Sequence, residues 1–461
     1  MHIIIVGGGL AGLVAALQAA ELGARVTLLE KSDRLGGSFV YSSGYVWSYK
    51  DLKTFRQEVP GGDVTLQKLI LKQLEPSLSW LEDHGVITLT RETGNPLTLG
   101  ARFDPEQTVA LLVDRIAVAG GRILLDTALD SLLEDPQGRI GGVRVVVSGK
   151  EQRTESSDAV ILASGGFAAS PDLVRHYVIQ GPGNMRLRAH PWSTGEGFLA
   201  ALRAGALASA GLDEFYGRNL PAPPARFSPE EFVEVSQLYG RYAVAINYSG
   251  VRYADEAADW SETALVQATA RQPGLGAWYV LDGAGLRERV RNRTVEEMVN
   301  AARRVGGGVL QAEGLRELAE KLADQNVPQE NVVRTLREYN AAVASGRGDE
   351  LSPPRSNPAA LVQIPPLTAV EVAPAITHTI GGLAVDTSCR VLRRTDGQPL
   401  PRLYAAGVEV GGVSVGGYTS GLATALVFGR VAARSAVGTS RNLRVGNPAD
   451  KTVPSKIDRG S

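Results

Sequence analysis

The chain has 461 residues, 44% of them hydrophobic, and its formal net charge is −1 at pH 7. This length is enough for two or three hydrophobic cores, and the balanced charge predicts neither a nucleic-acid partner nor an anionic-membrane surface. Cys389 is the only cysteine. An intrachain disulfide, a CxxCH haem site and a cysteine-ligated iron–sulfur or zinc centre are therefore excluded, and we expect no metal site.

A β-α-β unit is predicted at the N-terminus. A short apolar run precedes Gly7, Gly9 and Gly12, a helical Ala/Leu-rich pattern follows, and a second apolar run ends at Glu30. At this spacing the first glycine permits a tight turn, the second lets backbone amides approach a pyrophosphate at the helix N-terminus, and the third lets helix and strand pack closely. Glu30 is placed to accept hydrogen bonds from a ribose. The unit predicts dinucleotide binding by Gly7, Gly9, Leu10, Ala11, Gly12, Glu30 and Lys31.

Gly36 and Gly37 extend this unit into a second close-approach turn, which ends at Ser38. The extension resembles flavoproteins of the glutathione-reductase type, in which a second glycine pair runs along FAD, and it therefore favours FAD over NAD. Two later apolar runs also end in small residues, namely Ala163, Ser164, Gly165 and Gly407. We expect these three strand ends, from the first, middle and last thirds of the chain, to converge on one cofactor.

Residues 38–49 are mostly small polar and aromatic. Together with the nucleotide segments they resemble the fumarate reductase, succinate dehydrogenase and 3-ketosteroid dehydrogenase flavoprotein superfamily, whose chains carry a Ser-Gly-Gly-like turn beside the isoalloxazine ring. Ser43 and Gly44 stand at that turn, with Tyr45 in place of the second glycine. Succinate dehydrogenases bind FAD covalently through a histidine in this region. No histidine lies between positions 2 and 84, so non-covalent FAD is expected.

The resemblance covers the chain to about residue 438 and implies an α/β fold, in which a Rossmann-like FAD-binding domain of the glutathione-reductase type carries an inserted α+β cap domain. We place the FAD-binding domain at 1–220 and 376–438, and the cap at 221–375, because proline clusters flank the latter. Residues 439–461 are expected to form a flexible tail. A cap of this kind closes over the flavin and excludes water from the reacting bond.

The remaining elements are predicted to support these sites. The first domain has helical patterns at 65–84 and 104–119, strand patterns near 122–125 and 140–147, and a hairpin signal at 135–138. The cap has helical patterns at 295–305, 315–325 and 329–344, and strand patterns near 242–247 and 278–281.

Residues 193–197 resemble the superfamily's Thr-Gly-Asp-Gly turn, with Glu196 in place of the aspartate. The resemblance implies that Thr194 contacts the cofactor. Thr194 is also a good helix N-cap, so a purely structural role stays open. His190, in the loop before this turn, is expected to be solvated rather than catalytic.

The cap entrance, residues 242–256, resembles the superfamily signature I-V-N-x-x-G-x-R-F-V-x-E. Arg252 and Glu256 are expected to form a structural ion pair. Eight residues beyond that arginine, fumarate reductases carry the arginine that protonates the substrate, and ketosteroid dehydrogenases carry a catalytic tyrosine. This chain has Trp260 at that catalytic position. An indole offers one N–H donor and no usable acid or base, which disfavours fumarate or succinate as substrate.

Two turns follow the cap. Residues 377–383 resemble a His-Thr-x-Gly-Gly turn, which implies that His378 binds a carbonyl or carboxylate oxygen of the substrate; a hinge histidine is the alternative. Residues 407–412 resemble Gly-Glu-x-x-Gly-Gly with the acid moved by one position. The resemblance implies that this acid, Glu409, contacts the ribityl chain of FAD.

Residues 416–422 resemble the Tyr-Pro-Gly-x-Gly turn of ketosteroid dehydrogenases, in which a tyrosine hydroxyl and a glycine amide polarise the substrate carbonyl. The resemblance assigns these roles to Tyr418 and Gly421. Donors placed where enolate charge develops contribute on the order of 3 to 4 kcal/mol each. A helix is predicted from Ser420, with Leu422 in its first turn, and its N-terminus would favour reduced anionic flavin.

Together these motifs imply an FAD-dependent dehydrogenase that introduces a C=C bond α,β to the carbonyl of a small cyclic ketone or keto acid, with hydride passing to flavin N5. The catalytic base is not assigned. Two alternatives stay open: an ene-reductase acting on an unsaturated carboxylate, and a non-enzymatic flavin-binding redox sensor. Electrons would leave to an external acceptor, such as oxygen, a quinone or a redox protein.

No basic n-region or cleavage site precedes the nucleotide turn, so a cytoplasmic protein is expected. The apolar stretch 403–428 has the length of a membrane span. Its polar residues and glycines favour a buried segment that contacts the cofactor, and no membrane span is expected.

Overall fold

The structure of this chain, a computed structural model, describes residues 1–179, 185–259 and 261–445. The described strands are β1 His2–Val6, β2 Arg25–Leu29, β3 Tyr45–Tyr49, β4 Thr88–Thr90, β5 Thr98–Phe103, β6 Arg122–Leu124, β7 Thr127–Glu134, β8 Ile140–Val147, β9 Glu151–Ser156, β10 Ala159–Leu162, β11 Arg186–Leu187, β12 Phe215–Pro221, β13 Val244–Ile246, β14 Ala277–Leu281, β15 Arg289–Val290, β16 Arg293–Thr294, β17 Val309–Ala312, β18 Leu367–Thr379, β19 Arg390–Leu392 and β20 Pro399–Ala405. The described helices are α1 Leu10–Glu21, α2 Leu52–Glu58, α3 Val64–Asp83, α4 Pro105–Val118, α5 Pro171–Leu173, α6 Glu196–Arg203, α7 Phe232–Val235, α8 Thr263–Ala270, α9 Gly283–Arg287, α10 Val295–Arg304, α11 Leu315–Ala323, α12 Gln329–Ala344 and α13 Gly421–Val445.

The first sheet has the order β19-β20-β10-β1-β2-β6, and all its neighbouring strands are parallel except β19 and β20. Every residue of β1 and β10 is buried, as expected for central strands of a parallel sheet that is covered on both faces. Parallel strands end at one edge, so the segments that follow β1, β10 and β20 lie side by side. The predicted convergence of three strand ends is confirmed.

Helix α1 packs between this sheet and α13. Ten of its twelve residues are buried, and Gly429 of α13 lies so close to it that a Cβ there would be 2.7 Å from the carbonyl oxygen of Ala11. Arg430 donates to the side-chain oxygen of Gln18 at 3.0 Å across the same interface. Helix α13 continues to Val445 and so includes the first residues of the predicted tail, 439–445; the rest of that tail lies outside the described residues.

The second sheet has the order β11-β18-β14-β13, and β12 and β17 also pair with β18. Its long strand β18 has 13 residues and runs from the predicted cap to the edge where the nucleotide segments meet. Apolar residues of α10, α11 and α12 pack on this sheet. Strands β12 and β18 pass through the predicted boundaries at 220/221 and 375/376, so the sheet is continuous across both.

The predicted cap ion pair is confirmed. The guanidinium of Arg252 donates to the carboxylate of Glu256 at 2.8 Å, and Arg355 donates to the same carboxylate at 3.1 Å. All three side chains are buried. Arg252 also donates to the carbonyl oxygen of Pro354 at 2.7 Å, so the cluster fastens the segment before residue 356 to the cap. Removing one partner of such a cluster typically costs about 3 to 5 kcal/mol.

Two three-stranded sheets, β3-β5-β4 and β7-β8-β9, complete the first domain. The hairpin between β7 and β8 lies where it is predicted, with the amide of Gly138 donating to the carbonyl oxygen of Asp135 at 2.9 Å. Within the described residues, no helix has the length and apolar character needed to cross a bilayer. Residues 403–428 instead form the end of β20, a turn-rich loop and the start of α13.

Candidate active site

The turn after β1 is shaped by glycines that tolerate no side chain. Gly7 has φ +107, and a Cβ there would lie 2.3 Å from the carbonyl oxygen of Ala163. A Cβ at Gly12 would lie 1.8 Å from the carbonyl oxygen of Gly7. At Gly9, the N-cap of α1, a Cβ would keep 3.9 Å from its nearest neighbour. The first-turn amides of α1 therefore border open space, as a helix N-terminal pyrophosphate site requires.

One elongated cavity begins at this turn and ends beside Tyr418. It is lined by most of the predicted cofactor residues: Gly7, Gly9, Leu10, Ala11, Glu30, Lys31, Gly36, Gly37, Ser38, Ser43, Ala163, Ser164, Gly165, Gly407, Ser420 and Leu422. Glu30 accepts hydrogen bonds from the amides of Gly8 at 2.7 Å and Ser32 at 2.8 Å. Its carboxylate is thus held in place at the cavity wall.

Four predicted cofactor residues do not line the cavity. Gly12 lies beneath the turn, and Gly44 lies against the carbonyl oxygen of Phe103. Thr194 bonds to the ammonium of Lys31, which also pairs with Glu196 at 2.7 Å. Thr194 therefore acts behind Lys31 rather than at the wall.

Glu409 also departs from its expected place. Its carboxylate accepts from the hydroxyl of Ser164 at 2.6 Å and from the amide of Gly166 at 3.3 Å, and the residue is 1% exposed. Glu409 holds the turn after β10 in place from the side that faces away from the cavity. Ser164 and Gly165, not Glu409, form the cavity wall there.

Tyr418 and Gly421, the two predicted carbonyl-polarising groups, both line the far end of the cavity. The amide of Gly421 donates to the hydroxyl oxygen of Tyr418 at 3.3 Å. In this arrangement the amide points at the tyrosine, and the two groups do not both point at one substrate oxygen. Without a ligand, the Tyr418 hydroxyl donates its hydrogen to the hydroxyl oxygen of Tyr216, and a substrate oxygen would take that place. Burial raises the pKa of Tyr418 well above its usual value, so this hydroxyl is protonated near neutral pH and can donate to an oxygen.

His378 lies beside this pair. Its Nδ1 is 3.0 Å from the carbonyl oxygen of Thr379, which assigns the proton of the neutral ring to Nδ1. Its Nε2 is buried, has no partner among the described residues, and lies 2.9 Å from where a Cβ on Gly421 would be. Burial lowers the pKa of His378 to about 4, against the opposing effect of the Thr379 bond. His378 can donate to a substrate oxygen only when protonated, and a nearby anion favours that form.

Tyr216, which the motifs do not single out, lines the same end of the cavity. Its ring stacks on that of Tyr418 with centroids 3.5 Å apart and planes at 4°, and its centroid is 5.2 Å from that of His378. Tyr216 lies opposite His378 in the pairing of β12 and β18. The long-range pairing of these strands thus brings the two rings together.

Three arginines, Arg188, Arg218 and Arg291, also line this end. Arg188 donates to the hydroxyls of Ser236 at 3.1 Å and Thr377 at 3.2 Å, and the guanidinium of Arg218 is 4.9 Å from the ring centroid of Tyr216. The buried ion pairs of the described residues involve other arginines, and within those residues none of the three pairs with a carboxylate. Three cations that line one cavity without forming an ion pair favour an anionic ligand there.

The sequence carries a weak signal for these residues. Tyr216 and Arg218 are polar residues in the mostly buried strand β12. Charged side chains are rarely buried without a partner, so an arginine in such a strand indicates a binding role. The expectation that His190 is solvated is wrong. This residue is 5% exposed, lines the cavity and stacks on Tyr41. The predicted catalytic position Trp260 lies outside the described residues.

The sequence matches the FAD binding domain family over residues 2–426. It is 27% identical over 464 residues to the NADH:fumarate oxidoreductase of Klebsiella pneumoniae (strain 342), covering 95% of this chain and 48% of that protein. It is 26% identical over 531 residues to the NADH:acrylate oxidoreductase of Vibrio harveyi, covering 95% of this chain and 50% of that protein. The chain thus spans about half the length of these relatives.

Among solved structures, the 3-ketosteroid delta1-dehydrogenase from Sterolibacterium denitrificans matches with a TM-score of 0.76 at 18% identity, over 95% of this chain and 99% of that one. At this identity the likeness concerns the fold. It agrees with the predicted α/β fold built on a parallel sheet. Since the family match spans nearly all the elements described above, from β1 into α13, the chain belongs to the FAD binding domain family of flavoproteins.

Proposed function

We propose that this chain is an FAD-dependent oxidoreductase that dehydrogenates the CH–CH bond α,β to the carbonyl of a small keto acid. The observation that carries this proposal is the convergence of Arg188, Arg218 and Arg291 on the cavity end that also holds Tyr418. An anionic substrate would place a counter-charge among these three cations, which a neutral cyclic ketone would not. The arginines therefore favour the keto acid of the two predicted substrate classes.

The residues of the chain divide the work along the cavity. The turn at Gly7 and Gly9 would hold the pyrophosphate of FAD, and Glu30 its ribose. Bound FAD would supply the hydride acceptor. At the other end the arginines would bind the substrate carboxylate, and the Tyr418 hydroxyl would donate to the carbonyl oxygen where negative charge develops. An external acceptor, such as oxygen, a quinone or a redox protein, would take the electrons.

The second candidate is the reverse reaction, reduction of an unsaturated carboxylate. The names of the curated relatives, a fumarate and an acrylate oxidoreductase, favour it, and the arginines suit an enoate as well as a keto acid. One substrate panel separates the two directions. Keto acids and their neutral ketone counterparts are offered with an artificial acceptor, and enoates including fumarate are offered with reduced viologen. Turnover of neutral ketones as fast as of keto acids would contradict the proposed substrate class, and faster turnover of enoates would favour the reductase.

Replacing Arg291 by methionine is expected to raise KM for the anionic substrate by about 10- to 150-fold, since a hydrogen bond to a charged group is worth about 1.5 to 3 kcal/mol. Arg291 lies in the turn between β15 and β16 and lines the cavity. Folding should therefore be preserved. The matched control is Arg337→Met, on the exposed side of α12. Equal KM values for the two variants would remove Arg291 from the anion site.

Acid or heat is expected to release the flavin into the supernatant. The segment 38–49, which faces the ring in related flavoproteins, has no histidine or cysteine. Absorbance of the supernatant and of the washed pellet measures the distribution. Yellow colour that stays in the pellet would contradict non-covalent binding, and a His190→Ala variant would then show whether that cavity-lining histidine holds the flavin.

A further inference from the structure

Tyr216 reaches the cavity because β12 is irregular at this residue. The pairing of β12 with β18 shifts register between Tyr216 and Gly217, and such a bulge re-aims the side chain of the residue concerned. Only glycine fits next to it: a Cβ on Gly217 would lie 1.9 Å from the carbonyl oxygen of Ala375. The backbone is thus built to place the Tyr216 ring against that of Tyr418.

The stack itself is unusual for two neutral rings. Aromatic pairs prefer offset or edge-to-face arrangements with centroids about 4.5 to 7 Å apart, whereas Tyr216 and Tyr418 lie face to face at 3.5 Å. The stack brings two phenol groups to the same part of the cavity, next to the proposed carboxylate site.

The surroundings shift the pKa values of the two hydroxyls in opposite directions. Burial opposes ionisation of both. For Tyr216 it is outweighed by the positive charges of Arg218, Arg188 and Arg291 and by a hydrogen bond from Tyr418, so the pKa of Tyr216 lies below its usual value. The pKa of Tyr418 lies well above it. Titratable pairs whose pKa values are driven apart often divide acid and base roles. The titratable or charged groups that face Tyr216 are Arg188, Arg218, Arg291, His378 and Tyr418.

We propose that Tyr216 is the catalytic base that takes the α proton of the substrate, while Tyr418 holds the carbonyl oxygen. This rests on the proposed dehydrogenation. The α C–H bond breaks, its proton moves to the phenolate oxygen of Tyr216, and its electron pair forms the new C=C bond as the β hydrogen leaves with two electrons to oxidised FAD. Tyr216 then returns its proton to water. In the reductive direction the same hydroxyl protonates the α carbon.

Two measurements test this role, with Tyr177→Phe as the control for loss of a tyrosine outside the cavity. Ultraviolet difference titration of the FAD-free protein should show one tyrosine that ionises below the usual range. This step should vanish in Tyr216→Phe and move to higher pH in Arg218→Met, because removing a positive charge raises the pKa of the phenol. A step of unchanged size in Tyr216→Phe would overturn the proposal.

The second measurement is the rate of flavin reduction by keto acid against pH. Tyr216→Phe should lower this rate by roughly a hundred- to ten-thousandfold, the usual contribution of a general base, and remove the rising limb of the pH profile. FAD content and the spectral change on substrate binding should stay as in the wild type. A rate within about threefold of wild type would overturn the role of Tyr216 alone. If none of the keto acids reduces the flavin of the wild-type protein, the proposed function is overturned rather than the role of Tyr216.

Discussion

Gly12→Ala is expected to yield protein that binds FAD weakly or emerges without it. The new Cβ would lie 1.8 Å from the carbonyl oxygen of Gly7, so either the turn or the first turn of α1 must move. Overpacking of this kind costs about 1 to 3 kcal/mol. If this overpacking destabilises the FAD-bound form relative to the free protein, the dissociation constant of FAD rises by roughly 5- to 150-fold. Flavin content after purification and titration of the apoprotein with FAD measure the effect.

Gly438→Ala is the matched control, because it makes the same substitution in helix α13 at a position where a Cβ would meet nothing within 4 Å. Alanine in a helix is more stable than glycine by up to about 1 kcal/mol, so this variant should keep its flavin and unfold at a slightly higher temperature. Full FAD occupancy in Gly12→Ala would show that the turn can shift without losing the pyrophosphate site.

Tyr418→Phe should lower kcat by about a hundred- to a thousandfold, the usual effect of deleting one donor to a developing oxyanion. The hydroxyl is the only atom lost. The ring keeps its stack on Tyr216 and its edge contact with Trp47, whose centroid lies 5.7 Å away. The amide of Gly421 loses its acceptor and becomes free to donate to the substrate oxygen. This partial replacement of the lost hydroxyl would keep the loss of kcat near a hundredfold. KM should change less than kcat.

Stopped-flow reduction of the flavin compares the two proteins directly. Tyr404→Phe serves as the control, because that hydroxyl bonds to the carbonyl oxygen of Ser435 away from the cavity. Because the pKa of Tyr418 is raised, the donated proton is present from acid to mildly alkaline pH and is lost only above that range. Tyr418→Phe also removes the hydrogen bond that lowers the pKa of Tyr216, so the rising limb of the pH profile should move to higher pH in this variant. An unchanged rate would mean that other groups hold the carbonyl oxygen.

The cofactor half of the site could be predicted from local sequence. Gly7 and Gly12 owe their identity to close approaches, Gly12 to Gly7 and Gly7 to the turn after β10, whereas Gly9 leaves the space in front of the α1 amides open. Strands β1 and β10 are fully buried apolar runs, which a sequence displays directly. Since parallel strands end at one edge, the meeting of their glycine-rich ends follows from fold class alone.

The residues of the proposed substrate site could not be predicted from local sequence. Tyr216, Arg188, Arg218 and Arg291 come from separate stretches that meet only through the pairing of β11 and β12 with β18 and through the hairpin of β15 and β16. A bulge, which no local pattern announces, decides the direction of Tyr216. Likewise Glu409 stands one position from its expected place and turns behind Ser164.

The sequence by itself therefore determined the fold class, the cofactor and the position of Tyr418, because short-range geometry constrains glycines and buried strands. Only the tertiary structure decided which charges line the proposed substrate site, the burial of His190 and the pairing of two tyrosines. Tyr216 meets His378 through strand pairing across more than a hundred residues, and the charges of Arg188 and Arg291 reach it from two other stretches of the chain. Their effect on chemistry appears only once those stretches are in place.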